Sequence, residues 1–289
     1  MEPSKRSLSR LETMPDDMLR LIVSKVGASS SIDYCNTMMT CKSLNFGLND
    51  PLIAKTLDIT PLVERPNISY GYGKMMESLL ASNNLDAHYV KGMCEYFDFD
   101  NPVLGLYHLR IASKGARKEA KYLYGVLLMA TGMINKGKKI LSKLTDAIGL
   151  DSVETSWENV QASLSHLTVE MKDVYVDSLI SMEPELNCHP PGVNTVCFKC
   201  YHAYLMTEFF EMALGLNPAY PNPDQVTRTD NCSCMYISSV ASGPRRYVLS
   251  LPTCYKFACN AIAATTLIKH KRTHLHLSRV IPWTQLNSA

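Results

Sequence analysis

No stretch of the sequence is long and apolar enough for a bilayer-crossing helix, which needs roughly twenty apolar residues. The best run, residues 122–134, is short and interrupted by glycine. The opening MEPSKRSLSRLE is basic with no apolar segment behind it, so no secretory leader is expected. The ten cysteines are then expected as thiols or metal ligands in the cytoplasm and/or nucleus. A surplus of either charge is also lacking: 29 Lys and Arg against 27 Asp and Glu leave +2. That is too little to argue by itself for a nucleic acid or an anionic membrane as partner. Gly-x-Ser-x-Gly, His-Glu-x-x-His and a phosphate-binding loop are all missing. No catalytic residue is assigned, and the chain is read as non-enzymatic. What is there is globular: 46% hydrophobic and 19% charged residues over 289 positions, enough for one or two domains with a real core.

The stretch from 11 to 52 organises the rest. Thr13 is expected as an N-cap, Pro15 in the first helical turn, and Asp16 and Asp17 at the positive helix end. Met18, Leu19, Leu21, Ile22, Val23 and Val26 then make a helix apolar over more than half its circumference, which Gly27 is expected to stop. A second apolar set, Ile32, Tyr34, Cys35, Met38, Met39 and Cys41, follows a cap among Ser29, Ser30 and Ser31, and a third short piece runs to the Asp50-Pro51 break. Three short helices make a very small core, so the surplus apolar surface suggests docking. Packing of Leu19, Ile22 and Val23 against the rest of the chain explains it equally well.

The order Met14-Pro15-Asp16-Asp17-Met18-Leu19, then Ile22, Val26 and Cys41-Lys42-Ser43-Leu44, resembles the F-box. That motif usually reads Leu-Pro-Asp-Asp/Glu-x-Leu, a further Ile-Leu pair, and Val-Cys-Lys-x-Trp/Phe. Met14 stands for its Leu, Thr40 for its Val and Leu44 for its aromatic residue. The resemblance implies an F-box over 8–54 that docks on the Skp adaptor, and through it a cullin. Met14, Pro15, Leu19, Ile22, Val23 and Val26 would make that contact, and the rest of the chain would select an unknown target for ubiquitination.

A proline-spotted connection over 51–70 leads into a repeat. Asp86-Ala87-His88-Tyr89-Val90-Lys91-Gly92 aligns with Glu119-Ala120-Lys121-Tyr122-Leu123-Tyr124-Gly125 at an offset of 33 residues, close to the period of about 34 of tetratricopeptide hairpins. At the same offset Leu106, Leu109 and Ile111 meet Lys139, Ser142 and Leu144, a poorer match. Asn101-Pro102 reads as a helix start, Gly115 as a point just past a helix end, and Gly132 and Gly137 as the brackets of the next connection. Stacked repeats commonly leave a peptide-binding groove, placed here over about 86–150. Tyr89, Tyr96, Tyr107, Tyr122 and Tyr124 could line it or fill the core. His88 and His108 are read as packed or solvent-facing. Thr155 with Glu158 forms a capping-box pattern, and Trp157, Val160, Leu164, Leu167, Met171 and Val174 an apolar seam on one long helix to 182.

The run from Gly105 to Gly115, leading into Glu119-Ala120, is similar to a Sel-type repeat. F-box, repeats and a cysteine-bearing end together resemble a family of plant F-box proteins with a tetratricopeptide-like domain, here over 70–216.

Cys197 and Cys200 are spaced as half of a tetrahedral zinc site, with Cys188, His189 and His202 the nearest candidates to complete it. Buried thiols are the plainer explanation, and any zinc would be structural. Beyond, 217–289 is expected as a linker and irregular end, with Arg245-Arg246 and Lys269-His270-Lys271-Arg272 basic and 247–251 strand-like. The expected fold is therefore all-α. Against the ligase-subunit reading stand a repeat scaffold with a vestigial F-box and a zinc-dependent nucleic-acid binder, the latter disfavoured by the near-neutral charge.

Overall fold

Pro15 opens the first helix from the cap position, where its carbonyl accepts from the amides of Met18 and Leu19 at 3.0 and 3.1 Å. The helix, α1, spans Asp16–Ser29, so Pro15 rather than Thr13 is the cap. The computed structural model describes residues 13–182 and 198–214, apart from the side chains of 198–200 and of Tyr204. Gly27 does not end α1. It is buried inside it, where a Cβ would lie 3.2 Å from Leu57 Cδ1, and its carbonyl accepts from Asp58 N at 2.8 Å. It is a packing glycine, and α1 continues one half-turn past it.

Ser30 caps α2 (Ser31–Thr40) by accepting from Asp33 N at 3.1 Å. Of the apolar set expected along this helix only Tyr34 is buried, its hydroxyl donating to Phe46 O at 2.8 Å; Ile32 and Met39 are exposed. After a 3-10 turn at Lys42–Leu44, which buries Leu44, Asp50 accepts from Leu52 N and starts α3 (Pro51–Thr56). Arg20 of α1 reaches the same Asp50 carboxylate at 2.6 Å. The connection expected over 51–70 is thus largely helical: α3, then α4 (Thr60–Glu64) and a 3-10 segment (Pro66–Tyr72). Its prolines stand at 51, 61 and 66, all in first turns, where a missing N–H costs nothing.

The repeat region follows as α5 (Gly73–Ala81), α6 (Leu85–Phe97), α7 (Pro102–Ala112), α8 (Lys118–Ala130), α9 (Ile134–Ile148) and α10 (Leu150–Leu164). Asn101 caps α7 as expected. The hairpins α6–α7 and α8–α9 share one device: Gly92 of α6 faces Leu109, where a Cβ would sit 2.7 Å from its Cγ, and Gly125 of α8 faces Leu141 at 2.9 Å. The glycines are 33 residues apart but the leucines 32, because the turn has four residues in the first hairpin, 98–101, and three in the second, 131–133. That single deletion is why the second helices align poorly at a fixed offset. Gly132, at φ +87, forms the shorter turn, whereas Gly137 is buried within α9.

The long helix expected from Thr155 to 182 is two. Gly149, at φ +78, starts α10, and Thr155 lies inside it, its hydroxyl donating back to Asp151 O at 2.9 Å. Past Leu164 the chain turns, and Thr168 N donates to Asp98 Oδ1 at 2.6 Å, a partner seventy residues away that no local pattern announces. Then α11 (Asp173–Met182) and α12 (Phe198–Ala213) complete the described elements, all helical. The described residues fall into two units: 13–127 with 136–170, and 128–135 with 171–182 and 198–214. In the first, α1 packs on α2 and α3, α6 on α7, α4 and α5, and α10 on α4. In the second, α11 packs on α12, with Tyr175 and Phe209 in edge contact at 5.4 Å.

Gly105 of α7 sits closer to its neighbour than any side chain allows, since a Cβ there would lie 2.6 Å from Tyr96 Cβ and 2.8 Å from its backbone N. Gly105→Ala is expected to cost about 1–3 kcal/mol by forcing α7 off α6, read as a lower urea midpoint at unchanged slope.

Candidate functional site

Two stripes run along α1, and they have opposite fates. Leu19, Val23, Ser24 and Gly27 face inward, with Leu19 1% and Val23 0% exposed. Ser24 hydrogen-bonds Thr56 of α3 at 2.9 Å. Met18, Leu21 and Ile22, spaced i, i+3 and i+4, lie on the outward face at 53%, 48% and 36% exposure. Met14 and Pro15 extend that face in front of the helix, Val26 is half-buried at its edge, and Lys25 continues it to i+7. Of the six residues named for docking, Met14, Pro15 and Ile22 are therefore open, Val26 partly so, and Leu19 and Val23 belong to the chain's own core.

Met18 and Leu21 are apolar in the sequence but are not among the expected docking positions. The signal that separates the two stripes is size: the inner one ends in Ser24 and Gly27, where helices approach closely, and the outer one keeps its bulk. Among the described residues nothing buries the outer stripe. Covering three half-exposed side chains of this size would contribute on the order of 1 kcal/mol each, with a proline and two aspartates fixing where the face begins. An exposed apolar stripe of this kind has the chemistry that another helix or groove could cover, and its side chains carry no reactive group.

The expected peptide groove over about 86–150 is less open than repeats usually leave it. From Ala87 to Phe97 only Lys91 of α6 is not buried, because α7 covers one side and α4, α5 and the 3-10 segment the other. Tyr89, Tyr96 and Tyr122 are core residues, Tyr124 is half-buried, and Tyr107 alone of the five faces solvent. His88 is buried and its Nδ1 lies 2.8 Å from Nδ1 of the half-buried His108 on α7. The two rings, 5.0 Å apart, are each other's polar partner. Lys91, ion-paired with Glu95 at 2.7 Å, stands near His108.

Cys197 lies outside the described residues, as do Cys188, His189, the side chain of Cys200 and everything past 214, including the basic end and the strand-like 247–251. His202 is buried on α12 beside Tyr201. Among the described residues no group of three His, Cys, Asp or Glu side chains is placed to hold a metal, and no helix is long and apolar enough to cross a membrane. Cys35, Cys41 and Cys94 are free thiols.

A family model described as plant tetratrico peptide repeats matches residues 73–165. F-box protein At2g35280 of Arabidopsis thaliana is 42% identical over 144 residues, half of this chain and 88% of that protein. Putative F-box protein At1g67623 is 32% identical over 46% of each chain, and F-box protein At5g50450 is 29% identical over 41% of this chain and 36% of its own length, both from the same plant. The chain thus spans less than half the length of these last two. No solved structure matches.

Burial pushes the His88 pKa down to about 4, with His108 beside it adding to the effect. In the unfolded chain the group titrates near 6.5. Between these values the unfolded state binds more protons, so stability falls as pH drops from about 6.5 toward 4. The urea midpoint should fall less between pH 7 and pH 5 in His88→Gln than in the wild type.

Proposed function

Because the chain belongs to the family of plant F-box proteins, we propose that it is the substrate-recognition subunit of a Skp–cullin–F-box ubiquitin ligase, in the cytoplasm and/or nucleus. The observation that carries this reading is the outward stripe of α1. Met18, Leu21 and Ile22 stand exposed on a helix whose opposite face is fully committed to α2 and α3. Docking of the stripe on the Skp adaptor would bring a cullin, and the repeat helices would carry the target. In such a complex the subunit acts by proximity, holding a target lysine beside a charged conjugating enzyme, and needs no nucleophile of its own.

The division of α1 decides how the proposal is tested. A charge at Leu19 would disrupt the core and report only unfolding, whereas Met18 and Ile22 can be altered without touching it. Full-length wild type and a Met18→Asp, Ile22→Asp variant are co-purified with a plant Skp adaptor, with the thermal midpoint of each as control. Retention by the wild type and at least a roughly tenfold loss in the variant, at unchanged midpoint, is the expected result. Failure of the folded wild type to bind would leave a repeat scaffold with a vestigial F-box, for which Thr40 and Leu44 at the motif's Val and aromatic positions already speak.

A further inference from the structure

One face of the repeat region is neither buried nor charge-balanced. On α7, Val103 is 81% exposed and Tyr107 49%, with the half-buried Leu106 between them. Arg110 follows at i+7 from Val103, and Lys114 stands exposed in the turn just past the helix end. At the head of the helix the exposed Phe99 packs on Tyr70, ring centroids 5.3 Å apart. The stripe is thus apolar in its first half and cationic in its second.

Among the described residues the cations have no acidic counterpart. From 101 to 118 the sequence contains no Asp or Glu. The acids of the neighbouring elements are engaged elsewhere. Asp86 holds Arg117 through two hydrogen bonds at 2.6 and 2.7 Å, and Glu95 holds Lys91. Asp98 accepts from Tyr70 and from Thr168 N. No ion pair among the described residues includes Arg110 or Lys114.

We propose that this outer face of α7 is the target-docking surface, and that its occupant is a short extended segment of a protein rich in both acidic and apolar residues. The inference rests on the reading that the chain presents a target to a ligase. From Val103 to Lys114 the stripe runs about 16 Å along the helix, the span of roughly five extended residues. Apolar side chains of the segment cover Val103, Leu106 and Tyr107, and its carboxylates meet Arg110 and Lys114. Two cations are too few for a nucleic-acid strand, whose affinity comes from neutralising many phosphates, and fewer than the clusters that hold anionic lipid. A single exposed aromatic on the helix, Tyr107, falls short of the row on which successive bases stack, and Val103 with Tyr107 offers little area to a bilayer. A peptide uses both halves.

The test uses the full-length chain and two fluorescein-labelled peptides of about eight residues, a length that overruns the stripe. One alternates Asp or Glu with Leu or Phe; the other has Lys in place of every acid. Fluorescence anisotropy is expected to show the acidic peptide binding at least roughly tenfold tighter than the basic one. Arg110→Glu with Lys114→Glu should reverse that preference, and Val103→Ser with Tyr107→Ser should weaken the acidic peptide severalfold. All four positions are exposed or half-exposed, so the variants should keep the wild-type thermal midpoint and still capture the Skp adaptor. Equal binding of both peptides, or a preference that survives the charge reversal, would overturn the proposal. So would displacement of the acidic peptide by a single-stranded oligonucleotide or a phosphatidylserine vesicle at matched concentration. Loss of adaptor capture with the peptide preference intact would remove the ligase reading and leave the surface standing; the opposite pattern would remove the surface alone.

Discussion

The Asn84 side chain joins α3 to α6 within the first unit. Its Oδ1 accepts from Asp86 N and Ala87 N at 3.1 and 3.0 Å, closing the N-terminus of α6. Its Nδ2 donates to Ala54 O and Leu57 O at 2.9 and 3.0 Å, closing the C-terminus of α3. One buried amide thereby satisfies orphan groups at the ends of two helices. Without it, two amides and two carbonyls would be buried unpaired, each at a cost of about 1–3 kcal/mol. α3 in turn holds α1 through Ser24–Thr56 and Arg20–Asp50. α1 is therefore tied to α6 through hydrogen bonds and an ion pair that meet on α3. The outer stripe can be apolar because the inner one is secured in this way.

The same economy shapes the repeats. Small residues at Gly92, Gly105 and Gly125 bring paired helices together, and acids at equivalent positions tie each hairpin onward: Asp86 to Arg117, Glu119 to Asn159 at 3.0 Å. Close packing removes the first helix of the hairpin from solvent and leaves the second, α7, as the open one. A docking surface on this fold is then more naturally a helix face than a groove.

Much of this was legible from residues alone, and the exceptions have physical causes. The helix starts at Ser30 and Asn101 could be read because a cap is a local hydrogen bond, whereas Asp50-Pro51, expected as a break, turned out to start α3. The repeat could be read where identical residues recur, from Ala87 and Ala120 to Gly92 and Gly125. Gly27 and Gly137 misled because glycine both ends helices and lets them touch, and only a neighbour such as Leu57 decides between the two. Thr155 misled because its hydroxyl serves a cap or an i−4 carbonyl equally well. The break after Leu164 depends on Asp98, and which stripe of α1 is buried depends on α3; neither partner is near in sequence. For the proposed docking site, the motif points to the helix and burial leaves only its outer face open.

The coupling through Asn84 is the claim on which the account stands, and native-state hydrogen exchange measures it directly. In the full-length chain, amides of α1 and α6 are predicted to exchange with the same opening free energy and the same denaturant dependence, as one cooperative unit. In Asn84→Ala, α1 should open at lower free energy while α6 keeps most of its protection from α7. Exchange of α1 independent of α6 already in the wild type would contradict the account, since the first helix would then be held by its own small bundle alone.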